Sequence, residues 1–145
     1  SIKPESVTDI SITKEFYSIS PEGVVIENKK RNEFKEGDKV RVTMTLENAR
    51  DLNYVVLTDE RSACFVPTLQ ISDYLCNDGI WTYNEVRNSK TSLFFTYLPK
   101  GKHIITYDCY VTRTGVYAAG IATVQSQYSP LITAHSGGAL INVTQ

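Results

Sequence analysis

The sequence predicts an all-β domain, folded as an antiparallel sandwich of the immunoglobulin type with Greek-key connections. Short runs of β-branched and aromatic residues recur along the chain, turn residues separate most of these runs, and no segment has the apolar period of a helix. The 145 residues fit one domain with a hydrophobic core of its own. We assign residues 1–145 to that domain, with residues 1–8 as a tail or a connection to a preceding domain.

The clearest strand signal lies at residues 40–47. Apolar and polar residues alternate strictly here, as in a strand with one face in the core and one in water. Gly37 lies in the turn that precedes the run and is suited to a positive φ. The residues expected to face the core are Val40, Val42, Met44 and Leu46.

A second strong signal predicts a hairpin. The β-rich runs 93–98 and 103–112 flank a short turn that contains Pro99 and Gly101. In the second run, one face carries Ile105, Tyr107, Cys109 and Val111. Weaker patterns predict strands at residues 9–16, 24–27, 52–59, 80–86, 115–124 and 139–143.

Composition excludes several function classes. The 15 basic and 16 acidic residues leave a net charge of −1, so the chain has no electrostatic footprint for nucleic acid or an anionic membrane surface. With 41% hydrophobic residues it is neither disordered nor membrane-inserted. The start at Ser1, without a leader sequence, indicates a mature or excised piece of a longer chain.

The sequence predicts no catalytic, metal-binding or cofactor-binding residue. The two histidines, His103 and His135, belong to no recognised triad motif, and we expect both to be solvent-facing loop residues. Asp59-Glu60 is interpreted as an acidic pair that caps a turn. Of the three cysteines, Cys64, Cys76 and Cys109, the interpretation as buried, idle thiols is favoured over a disulfide between the first two.

Nine tyrosines are the most unusual feature of the composition. Five fall on predicted strands and are expected to pack in the sandwich: Tyr54, Tyr97, Tyr107, Tyr110 and Tyr117. Three lie nearer to predicted loops and are candidates for a contact surface or a carbohydrate platform: Tyr74, Tyr83 and Tyr128.

From about residue 36 to residue 144, several motifs occur in a specific order. Residues 51–67 contain the pattern V-x-L-x-D-x-R-x-A-x-x-x-P, residues 98–101 read Leu-Pro-Lys-Gly, and residues 111–115 read V-T-x-x-G. A tyrosine and proline segment at 128–130 precedes Ala134-His135-Ser136. In order and spacing these motifs resemble the C-terminal macroglobulin-like domain of bacterial alpha-2-macroglobulins.

The resemblance implies a non-catalytic part of a protease trap. Its expected partners are other domains of the same longer chain, including a thioester domain, and a target protease reached through the parent protein. The Cys-x-Glu-Gln thioester motif does not occur in this sequence. The family further implies a periplasmic or cell-surface location, with the parent held by a lipid anchor.

Within that interpretation, loop residues Tyr74, Tyr128 and Pro130 are the candidates for interdomain contact. The alternative function is a carbohydrate-binding or adhesin-type sandwich module of an exported protein. Trp81 would be the first aromatic residue to test for a role in glycan binding.

Overall fold

The structure, a computed structural model, describes residues 10–27, 29–68, 82–87, 89–129 and 131–145, and for residues 82–87 the backbone alone. All regular elements in these ranges are strands. In chain order they are β1 (Ile10–Ile19), β2 (Glu33–Lys35), β3 (Lys39–Asn48), β4 (Leu52–Glu60), β5 (Phe65–Pro67), β6 (Thr82–Arg87), β7 (Lys90–Leu98), β8 (Gly101–Val111), β9 (Gly115–Ala118), β10 (Ala122–Ser126), β11 (Thr133–His135) and β12 (Leu140–Thr144).

The strands form two main sheets and one small sheet. The first sheet has the order β1-β3-β8-β5 and the second the order β11-β10-β4-β7-β6, and every neighbouring pair in both is antiparallel. The small sheet, β2-β12-β9, combines one parallel and one antiparallel pair. The predicted antiparallel sandwich is therefore confirmed.

The predicted hairpin is wrong, because β7 and β8 lie in different sheets. β7 pairs with β4 and β6, whereas β8 pairs with β3 and β5. The Asn48 side chain stabilises the connection between β7 and β8. Its Nδ2 donates to the carbonyl oxygens of Leu98 at 3.3 Å and Pro99 at 2.8 Å. The link between β3 and β4 also crosses between the sheets at Asn48, so two crossings lie side by side.

Two other strand predictions change, and three short strands were not predicted. Residues 24–27 form no strand and contribute only the isolated bridge between Ile19 and Val25. The run 115–124 is interrupted at Gly120, where φ is +83°, and divides into β9 and β10. Glycine adopts this positive φ without steric cost, and the chain passes here from the small sheet to the second sheet. Strands β2, β5 and β11 are too short for a sequence period to reveal them.

The alternation predicted at residues 40–46 is confirmed, and it builds the core. Every second side chain of β3 is at most 1% exposed: Val40, Val42, Met44 and Leu46. Burying such a side chain fully is worth about 1.5–3 kcal/mol. The β3 side chains divide between two clusters, one around Met44 and Phe95, and one around Phe16, Phe65 and Ile141.

Candidate interdomain contact surface

Tyr54 interrupts the pairing of β4 with β7. Asn53 pairs with Tyr97 and Val55 pairs with Phe95 in one unbroken register, so no residue is inserted and Tyr54 is only left without a partner in β7. Its φ is +57°, the one positive value outside glycine in the described part of the chain. The left-handed conformation costs a residue with a Cβ about 1–2 kcal/mol. The surrounding contacts must hold this strained backbone in place.

The ring of Tyr128 packs against the ring of Tyr54. The rings of Tyr54 and Tyr128 meet edge to face, with centroids 5.1 Å apart and an angle of 77° between the planes. The backbone N–H of Gln127 donates to the Tyr54 carbonyl oxygen at 2.9 Å. Such an aromatic pair contributes about 0.5–1.5 kcal/mol beyond the apolar area that it buries. Tyr54 and the loop after β10 are thus joined through one aromatic contact and one backbone hydrogen bond.

The outer side of this pair is open. Tyr128 remains 76% exposed and Leu131, in the same loop, 80% exposed. Tyr97, which pairs with Asn53 next to Tyr54, is 48% exposed. Together with Tyr54 these residues form the aromatic surface: Tyr54, Tyr97, Tyr128 and Leu131. Large exposed aromatic side chains of this kind are typical of protein contact sites.

Of the three predicted contact residues, Tyr128 lies in this surface, while Tyr74 and Pro130 lie outside the described residues. Trp81 and Cys76 also lie outside them, and only the backbone of Tyr83 is described.

The prediction that the strand tyrosines pack inside is partly wrong. Tyr107 and Tyr117 do pack against the core, whereas Tyr54, Tyr97 and Tyr110 are nearly half exposed. Tyr54 reaches the surface because the alternation of faces in β4 changes at this residue: Leu52 and Val55 are both buried, with two exposed residues between them.

A buried ion pair lies between the two main sheets, and the sequence did not predict it. Asp59, interpreted as a turn residue, lies at the inner face of β4, and its carboxylate is 2.6 Å from Lys14 Nζ of β1. Both side chains are 2% exposed. Lys14 Nζ also donates to the Glu60 carbonyl oxygen at 2.7 Å, and the Tyr107 hydroxyl donates to Asp59 Oδ2 at 2.5 Å. We call Lys14, Asp59 and Tyr107 the buried triad.

Burial keeps the Tyr107 hydroxyl protonated. Loss of solvent, followed by the negative charge of Asp59, raises the pKa of Tyr107 well above its usual value. The phenol is therefore a hydrogen-bond donor throughout the neutral range. It connects β8 of the first sheet with β4 of the second sheet, as Lys14 does from β1.

The two described cysteines are buried, as the favoured interpretation predicted. Cys64 and Cys109 are free and buried. Burial raises the pKa of Cys109 to about 12 and raises the pKa of Cys64 as well. A thiol that stays protonated is a poor nucleophile.

His103 contradicts its prediction as a solvent-facing loop residue. It is buried in β8, with Nε2 at 2.7 Å from the Pro99 carbonyl oxygen. His135 is exposed as predicted, although it lies at the end of β11 rather than in a loop.

Within the described ranges, no three His, Cys, Asp or Glu side chains are grouped so as to hold a metal ion. No helix in the described part of the chain is long and apolar enough to cross a membrane.

Solved structures of bacterial alpha-2-macroglobulins share this fold. Salmonella alpha-2-macroglobulin reacted with methylamine matches with a TM-score of 0.72 and 16% identity, over 94% of this chain and 9% of that one. Native Escherichia coli alpha-2-macroglobulin, spanning domain MG7 to the C-terminus, matches with a TM-score of 0.75 and 13% identity, over 94% of this chain and 24% of that one. At these identities the likeness shows the fold, and this chain spans only a small part of either structure.

The same architecture occurs in unrelated contexts. A non-cellulosomal cohesin from Archaeoglobus fulgidus matches with a TM-score of 0.55 and 10% identity, over 93% of this chain and 92% of that one. A shared sandwich therefore does not by itself select a function.

Sequence similarity is more specific than the fold. No protein of curated function matches the chain. Residues 10–130 match the family model described as the bacterial alpha-2-macroglobulin MG10 domain. That match covers most of the 145 residues and does not favour the carbohydrate-binding or adhesin alternative. The chain belongs to the bacterial alpha-2-macroglobulin MG10 domain family.

Proposed function

We propose that this chain is a non-catalytic structural and interaction domain near the C-terminus of an alpha-2-macroglobulin-like protease trap. In this role it packs against neighbouring domains of the same longer chain, including the thioester domain. The observation that carries the proposal is the aromatic surface, in which Tyr128 is 76% exposed and packs on Tyr54, whose backbone is strained.

The strained backbone of Tyr54 must be retained for a physical reason. A strained conformation costs about 1–3 kcal/mol and is typical of functional sites. Within the described residues, Tyr54 receives one aromatic contact and one backbone hydrogen bond, from the loop that carries Tyr128. Strain that presents an otherwise exposed ring is expected where that ring enters an interface, since Tyr is enriched among residues that dominate binding energy.

A division of labour follows from the proposal. The bait and the thioester lie elsewhere in the parent, and this domain supplies a packing surface without catalysing any step. The target protease is a partner only through the parent. We place the parent in the periplasm or at the cell surface, held there by a lipid anchor, as the family resemblance implies.

The experiment uses the whole parent protein and two matched tyrosines. Tyr128→Ala removes the exposed ring of the aromatic surface, while Tyr110→Ala removes a ring that is 48% exposed on β8, in the other main sheet. Hydrogen–deuterium exchange is measured across the parent. We expect Tyr128→Ala to raise exchange at residues 52–57 and in the thioester domain, and Tyr110→Ala to leave the thioester domain unchanged. Equal exchange of the thioester domain in both variants and the wild type would contradict the proposed contact.

A further inference from the structure

We propose that the side chains of Lys14 and Asp59 condense to an amide, an intramolecular cross-link that joins the two main sheets of the sandwich. Lys14 lies on β1, the edge strand of the first sheet, and Asp59 lies on β4, in the middle of the second. Their reacting groups, an amine and a carboxyl, are 2.6 Å apart and buried together.

The geometry is that of two reactants held in contact. Lys14 Nζ lies 2.6 Å from Asp59 Oδ1, yet Oδ1 receives no hydrogen bond of acceptable geometry. The short distance makes the contact an ion pair, but no hydrogen bond keeps Nζ along a lone pair of Oδ1. The carboxyl carbon is one bond beyond this oxygen. Well-oriented groups within one molecule can react with effective molarities of about 10⁵–10⁸ M.

The reaction requires the neutral forms of both groups. Two side chains with 2% exposure have little water to solvate their charges, and charge is costly in such a place. Transfer of one proton from the ammonium of Lys14 to Oδ1 of Asp59 gives a neutral amine and a neutral carboxylic acid. The amine then has the lone pair that the attack requires.

Tyr107 supplies the electrophilic assistance. Its hydroxyl donates to Asp59 Oδ2 at 2.5 Å, the oxygen on which negative charge develops when nitrogen attacks the carboxyl carbon. The new bond joins Nζ to Cγ. When the intermediate collapses, the Cγ–Oδ1 bond breaks, and Oδ1 leaves as water with its own proton and one from the nitrogen. One amine and one carboxylic acid thus give one amide and one water, with no oxidant or reductant.

The product fits the site better than the reactants. The amide carries no charge, so the cost of burying an ammonium and a carboxylate disappears. Its remaining N–H is directed to the Glu60 carbonyl oxygen, which Lys14 Nζ approaches to 2.7 Å. The Oδ2 atom, now the amide oxygen, keeps the Tyr107 hydroxyl as donor. Hydrolysis would require water in a place from which the packing excludes it.

The test is peptide mapping of the parent protein, purified after folding and digested with trypsin under denaturing conditions. Trypsin does not cleave after an acylated lysine. We expect a branched peptide that contains both Lys14 and Asp59, with a mass one water below the sum of its two arms. Recovery of the two segments as separate peptides of unmodified mass, with cleavage after Lys14, would overturn the proposal.

Two variants assign the bond. Asp59→Asn presents an amide in place of the acid and would lose ammonia instead of water, so its branched peptide should have the same mass as that of the wild type. Lys14→Arg keeps a positive charge but offers a guanidinium that does not attack a carboxyl group, and it should give only linear peptides. A branched peptide that persists in Lys14→Arg would exclude Lys14 as the partner. The wild-type digest decides the proposal even where a variant fails to fold.

Discussion

Tyrosines serve opposite purposes in two regions of this domain. In the buried triad, the Tyr107 ring packs in the core and its hydroxyl binds Asp59 between the sheets. In the aromatic surface, Tyr128 meets Tyr54 edge to face, and most of the Tyr128 side chain is exposed to solvent. One region joins the halves of the sandwich, and the other presents a face to something outside it.

The difference shows how the environment decides what one residue type contributes. A buried hydroxyl without a hydrogen-bond partner would be costly. The Tyr107 hydroxyl donates to Asp59, and this hydrogen bond stabilises the fold. An exposed ring buries little area within its own domain, so Tyr128 adds little to folding and is left for binding. We therefore expect substitutions in the buried triad to affect stability and those in the aromatic surface to affect contacts.

The largest expected effect is that of Asp59→Ala. The substitution leaves the Lys14 amine buried without a partner and also prevents the proposed amide, and breaking a buried pair alone costs about 3–5 kcal/mol. Urea unfolding of the 145-residue chain gives the measurement. Asp108→Ala is the matched control, because its partner Arg41 lies 2.8 Å away and both side chains are about a quarter exposed. That loss should stay near about 1 kcal/mol, and equal losses would contradict the distinction.

The buried triad also shows where the sequence could not predict the fold. Alternation of Val40, Val42, Met44 and Leu46 revealed the core face of β3, because burial and period coincide there. Asp59 follows a strand-like run and precedes Glu60, which is equally typical of a turn. Only the approach of Lys14, 45 positions earlier, makes it a core residue.

The hairpin error has a related cause. The period of a strand gives the face that each side chain occupies but not the sheet to which the strand belongs, so β7 and β8 looked like neighbours. The partners that separate them, β4 and β3, are distant in sequence. In the aromatic surface, the sequence located Tyr128 in an exposed loop, but the positive φ of Tyr54 has no local signature, since glycine or asparagine would be the usual residue there.

The next effect concerns Gly120, which packs on the backbone beside the buried triad. A Cβ at this position would lie 1.9 Å from the Glu60 carbonyl oxygen, the same atom that accepts from Lys14 Nζ. Gly120→Ala should therefore combine overpacking, about 1–3 kcal/mol, with left-handed strain, about 1–2 kcal/mol. Gly37→Ala has a similar φ, +93°, but open space around the added methyl group, and it isolates the strain. Equal unfolding midpoints in urea for the two variants would show that the contact with Glu60 has no effect.

Tyr107→Phe tests the hydroxyl alone. The ring stays in place while the donor to Asp59 Oδ2 is lost, and a hydrogen bond to a charged group is worth about 1.5–3 kcal/mol. Tyr117→Phe is the control, since its hydroxyl donates to the Thr114 carbonyl oxygen at 3.0 Å in an exposed position. We expect the control to lose about 0.5–1 kcal/mol in urea unfolding. A Tyr107→Phe loss no larger than this would remove the hydroxyl from the buried triad.

The smallest effect on stability is expected for Tyr128→Ala. The ring is 76% exposed, so the substitution removes little more than its edge-to-face contact with Tyr54, about 0.5–1.5 kcal/mol. Tyr54→Gly removes the same contact but relieves the left-handed strain of about 1–2 kcal/mol. Its unfolding free energy should therefore equal or exceed that of Tyr128→Ala. If Tyr54→Gly is clearly less stable than Tyr128→Ala, packing of the Tyr54 ring within the domain holds the strained backbone in place. The strain then does not serve an external contact.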